Sequence, residues 1–260
     1  MGARMFISLA LVLMVSAAGR PARAQDAAPP PPASPHAWTD HARVGINVLE
    51  QPSSGAFNST TTKPVYLESA VFNTTYGVPS GMAFDGGILV RVAGNFGVGV
   101  AVSSFTKQQD AAVTGTAPHP FFYNTSRSIS GTAQSLRRNE LVAHIQAAYV
   151  VIAGKLDVAV SGGPSFFSVK QDLVSDVTFA DSYPYDSATF TTASSTKVSA
   201  TRVGFNAGVD VGVRLSTNVG VGGLVRFSKV SLAFPLAGSA SNVTADAGGI
   251  QAGGGLRLFF

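Results

Sequence analysis

Charged side chains are scarce in this sequence, and about a third of them stand at every second position of segments that are otherwise apolar or tiny. Arg43, Asp85, Arg91, Glu140, His144, Asp157, Arg202, Asp210, Arg214, Arg226 and Arg257 share this spacing. Charges of both signs on one face, with none on the other, imply an enclosed polar interior. There they must pair, because breaking a buried ion pair by removing one partner costs ~3–5 kcal/mol. Two uses fit such a set: a salt-bridged plug, or a narrow gate whose Arg and Asp contacts rearrange to pass small solutes. Hydrolysis is a third. His144 shares its face with Glu140, and Ser161 stands on another inward face. No spacing singles them out as the nucleophile, base and orienting acid of acyl transfer, so no catalytic residue is assigned. There is no Cys, and His36, His41, His119 and His144 lack ligand spacing, so neither metal nor cofactor is expected. Gly253-Gly254-Gly255 sits in a strand with no following helix and is not a phosphate loop.

The elements that carry these residues have a period of two. In Arg202–Leu215 the odd positions are Val203, Phe205, Ala207, Val209, Val211, Val213 and Leu215, while the even ones are polar or Gly. That is a β-strand with one apolar face. The same alternation runs through Val44–Val48, Phe84–Val92, Phe96–Val102, Leu141–Val151, Leu156–Phe166, Val219–Phe227 and Ile250–Phe260. A soluble sandwich turns its apolar face inward and charges outward. Here the second face is Gly, Ala and Ser with isolated charges, which suits a narrow lumen. Apolar-out, polar-in strands of about ten residues are the transmembrane β-barrel pattern, and a closed barrel pairs every backbone group within lipid.

Composition points the same way. Only 12% of the 260 residues are charged and 28 are Gly, yet mean hydropathy is +0.25. Past residue 18 no apolar run reaches the ~18 residues of a spanning helix. Residues 1–24 read as a signal peptide: Arg4, an apolar stretch from Met5 to Ala18, and an Ala22-Arg23-Ala24 cleavage site. Its removal takes away Arg4, Arg20 and Arg23, leaving 15 basic against 14 acidic residues, a net of +1. Nucleic-acid binding therefore has no support. Residues 25–41 form a Pro-rich periplasmic leader, stiffened at Pro29–Pro32, and residues 42–260 form the barrel.

Connections between strands alternate. Ala93-Gly94-Asn95, Ala153-Gly154-Lys155 and Ser216-Thr217-Asn218 are tight, whereas Lys107–Asn139, Lys170–Ala200 and Leu232–Asp246 are long. Short periplasmic turns and long extracellular loops are expected. A candidate ninth strand, Lys63–Phe72, is assigned to the first loop as a hairpin or extension above the membrane, because bacterial single-chain barrels have even strand numbers. A ten-stranded version needs one more strand from Phe121–Gln134. Outward Phe84, Phe166, Phe205 and Phe227 mark one aromatic girdle, and Phe96, Tyr149 and Phe260 the other.

These residues resemble the eight-stranded outer-membrane β-barrel proteins of Gram-negative bacteria, of the OmpA-like transmembrane type, from Arg43 to Phe260. The ending Leu256-Arg257-Leu258-Phe259-Phe260 matches that family's final strand, in which alternating apolar residues and a terminal Phe are read by the barrel-insertion machinery. The resemblance assigns that signal to Leu256, Leu258 and Phe260. The stretch GPSFFSVKQDLVSDVTF also resembles uncharacterised outer-membrane barrels and is expected in a loop. With the sequence read as stopping at the barrel, the family's peptidoglycan-binding domain is not expected, and wall anchoring is not expected to transfer.

The expectation is thus an all-β, eight-stranded antiparallel up-and-down transmembrane barrel in the bacterial outer membrane, monomeric, with a filled polar lumen. Its partners are outer-membrane lipid and lipopolysaccharide, the insertion machinery, and an extracellular ligand met by the loops. Ser, Thr and aromatic residues in APHPFFYNTSRSISG and DSYPYDSATFTTASS suit such recognition. A structural or surface-interaction role leads, ahead of a low-conductance pore and a membrane-embedded hydrolase.

Overall fold

The computed structural model describes residues 37–52, 55–78, 80–235 and 242–260. The signal peptide with its Ala22 and Ala24 site, and residues 25–36 of the leader, lie outside the described residues. Ten strands follow in order: β1 Ala42–Gln51, β2 Gly55–Val65, β3 Glu68–Val78, β4 Gly81–Ala93, β5 Phe96–Pro118, β6 Ser126–Ala153, β7 Leu156–Ser182, β8 Ser187–Arg214, β9 Val219–Phe234 and β10 Val243–Phe259. Eight of them close a ring in the order β5-β4-β1-β10-β9-β8-β7-β6, sealed by β6 pairing with β5. β2 and β3 stand outside the ring as a hairpin, joined to it where β3 pairs with the upper part of β5.

The ring is strongly sheared. One set of ladders leads from Ser161 through Ala148 and Gly97 to Arg91, whose N–H meets the His41 carbonyl. The other leads from Ser161 through Gly208, Arg226 and Gln251 to Gln51. The two arrivals are ten residues apart, 51 against 41. Eight strands with this stagger tilt steeply and enclose a lumen that side chains can fill. Points at equal height therefore shift by slightly more than one residue per strand.

The candidate ninth strand is two half-strands: Lys63–Phe72 straddles the β2–β3 turn at Tyr66-Leu67. Phe121–Gln134 adds no ring strand, since Ser126 onward is already β6. The long connections are largely sheet themselves. β6 has 28 residues, or roughly 90 Å at ~3.3 Å per residue, against a hydrocarbon core of ~30 Å. GPSFFSVKQDLVSDVTF accordingly lies within β7 and not in a loop.

Hydropathy inverts along these strands. In the lower half Ile46, Val98, Ile145, Val160, Val209 and Val225 are exposed on the outside, and the interior is charged. Above Phe84, Phe166, Phe205 and Phe227 the outside becomes Thr60, Asn73, Thr114, Ser130 and Thr189. The interior there is apolar, built on Phe57, Phe72, Tyr76, Val113, Phe167, Leu173 and Leu232. The lower half is dressed for lipid and the upper half, the head, for water. Ladders also part above the belt: β6–β7 ends at Arg138↔Gln171 and β8–β9 at Phe205↔Lys229. Side chains rejoin the walls, with Lys63 Nζ donating to Asp176 at 2.8 Å and to the Val177 carbonyl at 2.9 Å. The Val174 N–H donates to the Tyr76 hydroxyl at 2.8 Å.

One strand can test both environments. Val209→Arg, outward on the lower half of β8, is expected to destabilise by ~2–4 kcal/mol, the cost of Arg near a bilayer midplane. Thr192→Arg, outward on the upper half of the same strand, should stay within ~0.5 kcal/mol. Denaturant unfolding in lipid vesicles measures both, and equal costs would contradict the assignment of solvents.

Candidate functional site

The lumen is filled from the bottom. Trp38, just ahead of β1, is fully buried against Leu89, Val150, Ile152 and Ala159. Its N–H donates to Asn95 Oδ1 at 3.2 Å, and its carbonyl accepts from Arg91 Nη1 at 3.2 Å. A Cβ on Gly97 would come within 2.8 Å of the indole, so the wall is thinned to admit the ring. Phe259 lies beside this plug, with the Arg214 guanidinium stacked 3.9 Å from its ring centroid.

Above it runs one continuous chain of alternating charge. Arg214 binds Asp40 and reaches Asp157 at 3.2 Å. Asp157 pairs with Arg43, and Arg43 with Asp210 at 3.2 Å. Arg257 donates from Nε to Asp210 at 3.0 Å, pairs with the other oxygen of that carboxylate at 2.8 Å, and donates from Nη1 to Asn47 Oδ1 at 2.6 Å. Asn47 donates to Asp85 at 2.9 Å, and Asp85 pairs with Arg226. Four arginines meet four aspartates, so the chain is neutral. Arg257 passes Gly45 and Gly212 at ordinary contact distance, and a Cβ on Gly222 would come within 3.1 Å of its Nε.

Higher still, His144 sits between two hydroxyls: Ser103 Oγ at 3.1 Å from Nε2 and Ser165 Oγ at 2.8 Å from Nδ1. Asn206 donates to the same Ser165 hydroxyl at 2.8 Å and to the Gly163 and Pro164 carbonyls. Those carbonyls lie where β6–β7 pairing lapses between His144↔Ser165 and Ala147↔Gly162, so this network repairs the wall. Arg138 and Glu140 form a further buried pair at 2.6 Å, tied to the Asp246 carbonyl and the Gly248 N–H. What remains is a cavity of about 60 Å³ among Arg43, Asn47, Asp85, Gln146, Asp210 and Arg226, room for a few waters.

Nine of the eleven charged positions named from the pattern thus face the lumen. Arg91 lies at its lower mouth. Arg202 does not enter it: β8 has parted from β9 there, and the side chain is exposed, donating to the Ser231 carbonyl at 2.9 Å. Leu256 and Phe260 are exposed on the outside of the last strand, with Leu258 half-buried. The pattern missed Trp38 and Asp40, read as leader, and Arg138, read as loop. The lone Trp, two residues before the last acid ahead of β1, was the available signal.

At the top, three strand tips meet. Arg127, buried, pairs with Asp181 and donates to the carbonyls of Pro118, Tyr185 and Ser187. The Tyr66 hydroxyl donates to Asp181, and the Asn124 N–H to Glu68 at 3.0 Å. The Asp181 carboxylate at that hydroxyl raises the Tyr66 phenol above its ordinary value, with partial desolvation adding to it. Around this clamp Leu67 (103% exposed), Tyr183 (88%), Phe121, Phe122 and Tyr123 project into solvent. Phe121 meets Tyr185 edge-on, with centroids 5.2 Å apart.

The head and belt can be set beside known structures. Neisserial surface protein A is similar over 85% of this chain and 97% of its own, at 13% identity and a TM-score of 0.43. Ail of Yersinia pestis, solved with the heparin analogue sucrose octasulfate, matches over 84% and 99%, at 10% identity and 0.34. The outer membrane protease OmpT of Escherichia coli matches over 84% and 97%, at 8% and 0.40. No family profile matches the sequence, and neither does any curated protein.

If the charge chain acts as a unit, Asp157→Ala leaves Arg43 with Asp210 alone and Arg214 with Asp40 alone, unbalances the buried set by one positive charge and should cost ~3–5 kcal/mol. Adding Arg43→Met should recover part of that loss, so the double variant is more stable than the sum of the singles. Additive costs in vesicle unfolding would mean that the pairs are independent.

Proposed function

We propose that this chain is a closed barrel of the Gram-negative outer membrane that holds a rigid recognition surface above the lipid. The exposed aromatic apex carries this reading. Several large apolar side chains exposed together on a watered face are the kind of surface that meets a partner. Tyr and Phe provide broad contact area with few rotors to immobilise. The apex is also built at a cost: Tyr66 and Leu67 form the β2–β3 turn at φ +50° and +67°, where a two-residue hairpin favours Asn-Gly. Bulky residues in that conformation are strained and mark functional sites.

A pore finds less support. The lumen is occupied by Trp38, the neutral charge chain and the apolar head core in turn, and each would have to move. The Ser103–His144 contact is a nucleophile and base within reach. His144's other nitrogen faces Ser165 in place of a carboxylate, and the group is sealed inside the wall, so we assign it a structural part. In the same reading, outer-membrane lipid meets the belt, and Leu256, Leu258 and Phe260 present the last strand to the insertion machinery.

Two experiments follow. Refolded mature protein, shown to be heat-modifiable on a gel, should give no discrete conductance steps in a planar bilayer; steps would favour the pore. Cells displaying the chain should be captured by at least one member of a panel of glycans, matrix proteins and phage. The triple variant Phe121→Ser, Phe122→Ser, Tyr183→Ser should lower that capture roughly tenfold or more at equal surface amount. Equal capture of both displays across the panel would remove the apex as the binding surface.

A further inference from the structure

One histidine stands at the centre of the apex. The tip between β5 and β6 reads Pro118-His119-Pro120-Phe121-Phe122-Tyr123-Asn124-Thr125. His119 is buried, although Phe121 and Phe122 beside it are exposed. Its backbone N–H donates to the Thr125 carbonyl at 2.7 Å, which closes the tip. Its ring nitrogen Nδ1 accepts two backbone N–H groups, from Phe121 at 3.1 Å and from Phe122 at 3.2 Å. Pro120 has no N–H, so these are the first two donors that follow the ring. The Phe122 ring packs on the imidazole with centroids 4.7 Å apart.

Nδ1 of a histidine is bonded to Cγ, in the place that Oδ1 takes in Asn or Asp. His119 therefore imitates an Asx turn, in which that oxygen accepts a backbone N–H two residues on. Asn would make the same contacts at any pH. Imidazole makes them only while Nδ1 carries no proton, because a protonated ring nitrogen is a donor. The proton of the neutral ring is thereby assigned to Nε2. Nε2 is buried without a hydrogen-bond partner, and the Asp186 carboxylate in the β7–β8 turn stands 3.9 Å from it. The other charged groups around the tip are engaged. Arg127 on β6 donates to the Pro118 carbonyl and pairs with Asp181 on β7, which also accepts from Tyr66. Glu68 on β3 accepts the Asn124 N–H. Asp186, with its side chain 79% exposed, is free to turn toward the ring.

We propose that His119 is an acid-sensitive latch of the apex. Neutral, it holds the Phe121–Phe122 tip in shape; protonated, it gives up both N–H groups and pairs with Asp186 instead. The latch regulates the recognition surface proposed above and rests on that reading. Histidine is the side chain whose charge ordinarily changes between pH ~5 and ~8, so mild acid is the signal. The ordered tip needs the neutral ring, so its order is present at the upper end of that interval and is lost as pH falls. Each state has its own partners, which makes the tip a two-state element and not a loop that merely loosens.

The test compares the refolded chain in detergent micelles with His119→Asn, which keeps an acceptor on Cγ and does not titrate, and with Asp186→Asn. Hydrogen exchange followed by NMR at pH ~7.5 and ~5 reads the Phe121 and Phe122 amides, corrected for slower intrinsic exchange in acid. Protection in the wild type should fall about fivefold on acidification, as each amide loses one hydrogen bond. In His119→Asn it should be the same at both pH values, and in Asp186→Asn the tip should release at lower pH than in the wild type. Emission of Trp38, the chain's one tryptophan and buried at the opposite mouth, should stay constant and report an intact barrel. Capture of displayed wild-type chain by the binding panel should weaken in acid, and capture of His119→Asn should not. Unchanged protection in the wild type overturns the latch, and so does an equal loss in His119→Asn. Release of Asp186→Asn at the wild-type pH overturns the exchange of partners. Should His119→Asn not fold, the wild-type imidazole nitrogen signals decide: a proton on Nδ1 at neutral pH overturns the latch, and one on Nε2 supports it. A tip that releases in acid on a chain that captures nothing at any pH would count against the recognition reading and not against the latch.

Discussion

The narrowness of a sheared ring of eight strands governs the rest of this molecule. Such a ring has no room for a water column beside its side chains, so whatever points inward must fill the space and satisfy itself there. Arginine and aspartate can do so only as a closed set, since a charge left over would meet neither water nor a partner. Hence the alternation Asp40, Arg214, Asp157, Arg43, Asp210, Arg257, Asn47, Asp85, Arg226, with Asn47 linking the last two pairs. Hence also Gly97 and Gly222 on the inner face, where a Cβ would crowd Trp38 and Arg257.

A second constraint comes from outside. The same strands pass through two solvents, and their faces exchange character where they leave lipid for water. Val209 and Thr192 both point outward on β8, yet one meets acyl chains and the other water. That exchange explains how much of the fold could be read in advance. Below the girdle the alternation was unbroken, so all eight ring strands and their three tight turns could be located. Above it, Ser, Thr and Gly on the water face and small apolar residues such as Ala111, Ala133 and Ala188 within flatten the contrast. Bulges at Gln109/Ala111 and Val174/Asp176 then shift its phase. Strand residues there look like loop.

The lumen was legible to the same degree, for the same reason. Parity alone brought nine charged residues to one interior, but parity holds only while both neighbours stay paired. Arg202 obeys the alternation and still leaves the lumen, because the β8–β9 ladder has ended three residues below it. Trp38 and Asp40 failed in the opposite sense. They precede any strand, and apart from the lone Trp nothing local says that a short segment after a Pro-rich run turns back into the barrel. Their positions are set by what the ring lacks, an aromatic to close its mouth and a carboxylate to balance Arg214, and such a deficit appears only once the ring's contents are counted.

The apex carries this logic furthest from the membrane. A head with an apolar core needs nothing at its tip except polar turns, and Asn-Gly at the β2–β3 turn would relieve two left-handed residues. The chain instead holds Tyr66 and Leu67 there, restrains the phenol on Asp181, and uses the same carboxylate to neutralise buried Arg127. Asp181 therefore couples three tips into one rigid surface, so that the exposed rings are fixed in place before any partner arrives. Ordering a loop on binding subtracts from affinity, and a surface ordered in advance avoids that subtraction. On the proposed reading, stability spent on a strained turn is recovered as preorganisation, which would give the long β5–β8 extensions a purpose beyond closing the barrel.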